Sequence, residues 1–199
     1  MTAYSAAFFQ NCANFHSFGD SKFVPEFDPE TFRRIVEASD AFEQADQRAE
    51  LQKLIELTEK EMFTEAEPFK SLGFSDKNGV SGYYSGNVTE AEARLVDEWC
   101  ISVKLSPINT RLFKTAENEF TLLVCSAEEQ SERYPWLGQH EHNGVKITVK
   151  AGHLSPFMRK VAGFLQQAGE FAANETQAKM MQAYYDHFTY GNIDDHKKS

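Results

Sequence analysis

The sequence is short of positive charge. Its 199 residues include 20 Lys and Arg against 30 Asp and Glu, which gives a formal net charge of −10. A protein this acidic repels the phosphate backbone of nucleic acids and the surface of anionic membranes. We therefore expect neither a nucleic-acid partner nor a membrane partner, whereas neutral and cationic ligands remain open.

Cysteine and long apolar runs are scarce as well. The three cysteines, Cys12, Cys100 and Cys125, are odd in number and widely spaced, which does not suggest a disulfide framework. No segment approaches the roughly 20 apolar residues that span a bilayer, and the first residues lack the basic and apolar regions of a signal peptide. These absences predict a cytoplasmic protein whose cysteines are reduced and buried.

Phenylalanine, in contrast, is abundant. The chain contains 17 Phe among its residues, which predicts a core or cleft walls built largely from aromatic packing. The length is enough for one sizeable domain with its own core. We therefore predict a single domain over residues 1–199.

The apolar spacing predicts helices in both halves of the chain and strands between them. Helices are expected over about residues 3–15, 29–38, 46–63, 90–102, 155–171 and 174–190. Two strands within residues 108–126, and a third over 145–149 after an Asn143-Gly144 turn, predict a small antiparallel sheet in residues ~108–150. Together these elements predict an α+β fold that is mainly helical.

Six histidines prompt a search for a metal site. Residues 140–145 superficially match a His-Glu-x-x-Gly-His metal motif. The final ligand position is Val145, however, and Asn143-Gly144 predicts a turn where the motif needs a helix. We therefore predict no metal site.

Three segments are polar, rich in turn residues and dense in chemically active side chains. They are residues 14–25, 83–87 and 109–114. Two interpretations stay open. Gly, Asp and Asn can serve tight turns and loop hydrogen bonds. Alternatively, His and Tyr could move a proton while Arg and Lys stabilise developing negative charge.

The same segments resemble the N-terminal lobe of the dipeptidyl peptidase III family. Residues 14–25 are similar to the family's Asn-aromatic-x-Ser-Phe-Gly-Asp-x-Lys-Phe-x-Pro pattern. Residues 83–89 are similar to its Tyr-aromatic-Ser-Gly-Asn pattern followed by Thr, and residues 109–114 to its Asn-Thr-Arg-Leu-Phe-Lys pattern. The ending, residues 188–197, also fits. The resemblance covers essentially the whole chain in the same order.

This resemblance implies a protein that binds peptides in a cleft between two lobes. Members of the family remove dipeptides from peptide N-termini with one zinc ion, held by a His-Glu-x-x-x-His helix and a downstream Glu in the other lobe. Neither these ligands nor the family's main contacts to the substrate's amino terminus fall within residues 1–199. We therefore expect no cofactor, and zinc only where the missing lobe is present.

Two functions stay open. The first is a truncated dipeptidyl peptidase III-like lobe that binds a peptide or small molecule and is not a zinc peptidase by itself. The alternative is a stand-alone, metal-free isomerase, lyase or cyclase that uses acid–base catalysis on a small molecule. The candidate catalytic residues are His16, Tyr84, Arg111 and His153, and the candidate substrate-binding residues are Asp20, Lys22, Tyr83, Asn87 and Lys114. Of these, His153 stands where the family usually has an acid.

The chain is shorter than members of the family at both ends. A fragment and a naturally short homologue are both compatible with that difference. In either case, a lobe on its own exposes the face that its partner lobe covers, and such an apolar face favours association. The expected protein partners are therefore a second copy of the chain or the missing catalytic lobe.

Overall fold

A computed structural model of the protein describes residues 2–17 and 19–199. The chain forms two compact units, the first ending at Ser81 and the second beginning at Gly82, and each is described by itself. The prediction of one domain over residues 1–199 stays a prediction. The first unit contains α1 (Thr2–Asn11), α2 (Pro29–Glu37), α3 (Asp40–Glu43), α4 (Ala45–Phe63) and a 3-10 turn, Ser75–Lys77.

The second unit contains a sheet and the remaining helices. Its elements are α5 (Glu90–Ser102), a 3-10 turn (Pro107–Asn109), β1 (Thr110–Ala116), β2 (Glu119–Cys125), β3 (Gly138–His142), β4 (Val145–His153), α6 (Ser155–Glu170), α7 (Glu175–Tyr190) and α8 (Ile193–His196). The α+β class and the place of the sheet in the chain are as predicted.

The predicted helix starts are confirmed by their hydrogen bonds. The Asp28 carboxylate accepts from the backbone N–H of Thr31 at 2.7 Å and so caps α2, whose first residue is proline. Thr89 and Glu92 form the predicted capping box at the start of α5. The first helix ends earlier than predicted, at Asn11, and Cys12 follows with φ of 54°. Cys12 is therefore exposed, contrary to the prediction that every cysteine is buried.

The sheet is mixed, with the strand order β1-β2-β4-β3. β1 pairs antiparallel with β2 and β3 antiparallel with β4, but β2 and β4 run parallel. The prediction of an antiparallel sheet is therefore wrong at its central pair. The physical reason is the order of the strands. Residues 126–137 lead from the end of β2 to β3 at the far edge of the sheet, β3 runs back antiparallel to β2, and the tight β3–β4 turn then places β4 between them, parallel to β2.

One face of the sheet forms the core of the second unit. Phe120 and Leu122 of β2 and Ile147 and Val149 of β4 are buried on it. From α5, the Trp99 indole lies 4.8 Å from the His140 ring of β3, measured between ring centroids. Residues on the other face of the central strands are half-buried. This asymmetry leaves one face of the sheet available for a site.

The helices after the sheet form a hairpin. α6 and α7 pack on each other, and a methyl group in place of the Gly169 hydrogen would lie 3.8 Å from Met181. The end of α7 bonds to the chain that follows β2, where the N–H of Ala127 donates to the carbonyl of Phe188. In the described part of the chain, no helix combines the length and apolar character needed to cross a bilayer. The cytoplasmic location stays a prediction.

Candidate functional site

Two of the three polar segments lie side by side in the second unit. The N–H of Leu112 donates to the carbonyl of Tyr83 at 2.8 Å, and the N–H of Ser85 donates to the carbonyl of Leu112 at 2.9 Å. Residues 83–85 therefore add a short strand-like stretch to the outer edge of β1. This pairing covers an edge that would otherwise present unpaired backbone groups.

Side chains from both segments fix this pairing. Ser85 Oγ donates to Asn87 Oδ1 at 2.6 Å and accepts from the N–H of Lys114 at 3.0 Å. Asn87 Nδ2 in turn donates to the carbonyl of Lys114 at 3.1 Å. The polar atoms of Asn87 thus hold the loop to β1, and its role in substrate binding stays a prediction.

The Lys114 ammonium is engaged by two carboxylates. Its Nζ lies 2.6 Å from Glu92 Oε1 and 3.2 Å from Glu117 Oε2. Burial would raise the pKa of Glu92, but hydrogen bonds from Lys114 and Thr89 hold that pKa below its ordinary value. Lys114 thereby links β1 to the first turn of α5. Its predicted contact with a substrate is not tested by this geometry.

The half-buried face of the sheet brings Arg111 and His153 to the same end. Arg111 of β1 lies opposite Leu123 of β2, and Cys125 of β2 lies opposite His153 of β4. Paired residues share a face, so all four side chains lie on one side of the sheet. A bulge in β4 before His153 shifts the register by one residue and turns this side chain to the same face.

Arg111 is held at one nitrogen and available at the others. Its Nε donates to the carbonyl of Gly82 at 2.6 Å, and its guanidinium lies 5.2 Å from the centroid of the Phe113 ring. Among the described residues, its two terminal nitrogens have neither a hydrogen bond nor an ion pair. These nitrogens form the planar fork that matches a carboxylate.

The surroundings of His153, two strands away on the same face, disfavour its charged form. Burial and the nearby positive charge of Arg111 both lower the pKa of His153 below its ordinary value of 6.5. Its Nε2 is buried and has no hydrogen-bond partner within residues 2–17 and 19–199. A buried polar atom without a partner is uncommon in folded proteins and marks a place where a bound group or water can bond.

The two tyrosines differ in their surroundings. Tyr83 is 58% exposed. Tyr84 is half-buried, and its pKa is raised by burial first and by the Asp97 carboxylate second. Burial also raises the pKa of Asp97, which the sequence interpretation did not include. No local pattern could have found Asp97, because only the packing of α5 places it near residue 84.

The remaining three candidates, His16, Asp20 and Lys22, belong to the first unit. Lys22 Nζ donates to the carbonyls of Glu61 and Thr64, the latter at 2.7 Å, at the C-terminal end of α4. A cation there satisfies free carbonyls and the helix dipole. His16 and Asp20 are exposed. The backbone carbonyl of Asp20 accepts from the N–H of Leu72, so this segment has a structural use as well.

The histidine motif over residues 140–145 does not fit a metal. β3 ends at His142, and Asn143 and Gly144 form the predicted turn, with φ of 46° and 82°. His140 Nε2 bonds to the carbonyl of Trp136 at 2.9 Å. Within the described residues, no group of three or more His, Cys, Asp or Glu could hold a metal ion. The described residues therefore offer no set of ligands for the zinc that, in the family this chain resembles, is held by the other lobe.

Comparison with known proteins shows which family the sequence matches. The sequence pattern of peptidase family M49 matches residues 54–199, which is well over half of the chain. The chain belongs to peptidase family M49. The matched range includes the two paired segments of the second unit, whereas residues 14–25 precede it.

Individual relatives agree with this assignment. The chain is 35% identical over 199 residues to "Dipeptidyl peptidase 3" of Dictyostelium discoideum. The aligned region covers 100% of this chain and 27% of that protein. It is 33% identical over 204 residues to "Dipeptidyl peptidase 3" of Homo sapiens. That alignment covers 98% of this chain and 27% of the human protein. The chain spans about a quarter of the length of these curated relatives. The resemblance found in the sequence is confirmed.

Proposed function

We propose that this chain is a peptide-binding part of an M49 peptidase scaffold and that Arg111 is its anchor for a carboxylate. The observation that carries the proposal is the Arg111 guanidinium, which lies on a half-buried sheet face with its terminal nitrogens unpaired among the described residues. The relatives are named dipeptidyl peptidases, and a peptidase must bind peptides.

The neighbours of Arg111 suit this role. A carboxylate can take two parallel hydrogen bonds from the guanidinium fork. His153 is uncharged, so it adds no competing ion, and its imidazole can donate a hydrogen bond to a peptide carbonyl. Phe113 and Tyr83 offer aromatic surface to side chains of the peptide.

Calorimetric titration with a tetrapeptide and with its C-terminal amide tests the anchor. We expect the free acid to bind more tightly, and we expect Arg111→Met to weaken its binding by about tenfold or more, since a charge-assisted pair is lost. Arg94→Met is the matched control, because Arg94 is exposed and its ion pair among the described residues is with Glu90 of the same helix. Equal affinities for the wild type and Arg111→Met would overturn the assignment.

The proposal also includes binding without zinc-dependent hydrolysis by this chain. The assay is release of arylamine from a dipeptidyl arylamide in the presence of added zinc. We expect no release above a protein-free control. Release that disappears on chelation and returns with zinc would contradict this part of the proposal and leave the Arg111 titration unaffected.

A second candidate, metal-free acid–base catalysis, is favoured by one observation. A histidine with a lowered pKa beside an arginine can accept a proton while the arginine stabilises an oxyanion. We expect any turnover found in a panel of isomerase, lyase and cyclase substrates to fall about a hundredfold in His153→Gln. His142→Gln is the comparison, because His142 is the last residue of β3 and its ring contacts Asn143 of the adjoining turn. Unchanged turnover in His153→Gln would remove this candidate.

A further inference from the structure

Helix α6 presents large apolar side chains to solvent. Phe157, Phe164 and Phe171 are 63%, 69% and 86% exposed. They are spaced seven residues apart, and Phe171 directly follows the last residue of the helix. Because seven residues make almost two helical turns, the three rings lie on one side of α6.

Two smaller apolar residues complete this side of the helix. Val161 and Ala168 fall between the three rings and give the spacing 157, 161, 164, 168 and 171, in steps of four and three residues. We call these five residues the Phe stripe. Apolar positions that alternate in steps of three and four are the seam on which a second helix packs.

The Phe stripe is separate from the surface that α6 uses within its own unit. Ala162 is buried, Leu165 is half-buried, and Gly169 faces Met181 of α7. These positions lie about 100° or more around the helix from Phe164. The apolar residues of α6 therefore extend beyond the side of the helix that the described residues cover.

The exposed area of the Phe stripe indicates which kind of polypeptide could pack on it. A phenylalanine buries roughly 150–250 Å² when it is covered, so three largely exposed rings leave about 300–550 Å². Two copies packed stripe to stripe would bury about 600–1,100 Å², below the roughly 1,200 Å² of a stable interface. A second copy of this chain is therefore a poor occupant.

The relatives indicate a better one. The chain corresponds to 27% of the length of the Dictyostelium discoideum and Homo sapiens proteins, so about three quarters of each of those proteins lies outside the matched part. We propose that the Phe stripe is the surface on which a helix of that remaining polypeptide packs. The heptad spacing selects a helix, and the continuous apolar seam selects an apolar face on it.

Thiol accessibility tests the proposal. Phe164→Cys is placed in the isolated chain, with Cys12→Ser to remove the exposed native thiol. The same cysteine is placed in a chimera, in which this chain replaces the matched segment of the Dictyostelium discoideum protein. Maleimide labelling is followed peptide by peptide with mass spectrometry. We expect labelling at position 164 to be at least about tenfold slower in the chimera, because packing protects the thiol.

Gln166→Cys is the matched control, since this residue is exposed on the opposite side of α6. We expect its labelling rates in the two proteins to agree within about threefold. Equal rates at position 164 would overturn the proposal. Slow labelling of the isolated chain, together with a dimer in sedimentation, would overturn it in favour of a second copy.

Two further measurements keep the test decisive. If the chimera does not fold, a cysteine at the aligned position of the intact Dictyostelium discoideum protein gives the same comparison. In the isolated chain, replacing all three rings of the Phe stripe by Ser is expected to preserve the far-ultraviolet circular dichroism and the cooperative unfolding transition. Loss of the fold would show that the Phe stripe belongs to this chain's own core, which contradicts the proposal.

Discussion

Gly191 shows how much the second unit depends on single residues. It follows α7 with φ of 68°, and a Cβ at this position would lie 2.5 Å from the carbonyl oxygen of Cys125 and 3.0 Å from Val124 Cγ1. Asn109 Nδ2 donates to the carbonyl of Gly191 at 2.9 Å. The start of β1, the end of β2 and the end of α7 therefore meet at one residue without a side chain.

We expect Gly191→Ala to lower the free energy of unfolding by about 2–4 kcal/mol, because it combines a left-handed backbone with a backbone clash. Urea denaturation followed by circular dichroism measures the change. Gly163→Ala is the control, since a Cβ there meets nothing within 4 Å inside α6. That variant should gain roughly 0.5–1 kcal/mol. Equal effects of the two substitutions would contradict the packing described here.

His153 makes stability depend on pH. Its folded-state pKa is below the ordinary 6.5, so the unfolded chain binds a proton at higher pH than the folded chain does. The stability that is linked to His153 is therefore fully present above its unfolded pKa of about 6.5 and is lost as the pH falls through the lower folded value. Glu92, with its pKa held below 4.5, adds a loss only at still lower pH.

We expect His153→Gln to reduce the drop in unfolding free energy between about pH 7 and pH 5, as measured from urea midpoints across that range. A neutral side chain removes the proton uptake that favours the unfolded state. Thr176→Ala, in the same unit, removes no titratable group and is expected to keep the wild-type slope. If His153→Gln also kept it, the pH dependence would have another origin.

At the scale of elements, the capping box of α5 connects a helix start to the sheet. Glu92 accepts from the N–H of Thr89 at 2.9 Å and from the Lys114 ammonium at 2.6 Å. The same carboxylate thus closes the first turn of α5 and binds β1. Residues 83–89 and 109–114 are consequently one structural assembly, which explains why the two segments occur together in this chain.

We expect Thr89→Ala to cost about 1 kcal/mol of stability, since an N-cap hydroxyl is lost. Thr176→Ala is the comparison, because this exposed threonine lies within the first turn of α7 and not at its cap. Its substitution should change stability by less than about 0.5 kcal/mol. Differential scanning calorimetry of both variants decides the matter, and similar losses would count against the capping box as the cause.

At the scale of the molecule, burial is distributed unevenly. Among the described side chains of α1 to α4, none is buried. Among the residues that the structure describes, the buried hydrophobic ones run from Val88 to Ala162, all in the second unit. Because apolar burial is the main favourable contribution to folding, the second unit holds most of the stability.

We expect the amide hydrogens of α4 to exchange at least about tenfold faster than those of α5. Helix length alone predicts the opposite result, slower exchange in α4, because α4 has 19 residues and α5 has 13. Buried Val96 and Trp99 anchor α5, whereas Leu54 and Leu57 of α4 are exposed. Hydrogen exchange resolved by peptide measures both helices in one experiment, and slower exchange in α4 would refute this distribution of stability.

The sequence by itself determined the features that depend on neighbours a few residues apart. Asp28-Pro29 and Thr89 with Glu92 predicted two helix starts, and Asn143-Gly144 predicted a turn before a strand. Each follows from hydrogen bonds and backbone preferences within about four residues. The family resemblance has the same local character, because it rests on short continuous segments.

Only the tertiary structure decided which distant residues meet. β3 was not predicted, because its polar residues 138–142 become a strand only by pairing with β4. The parallel β2–β4 pair and the bulge before His153 bring that residue to the same face as Arg111, and no spacing along the chain encodes this. The exposure of the Phe stripe on α6 likewise cannot be read from the sequence. An apolar residue looks the same in the sequence whether its own chain covers it or not, because coverage depends on where the rest of the fold lies.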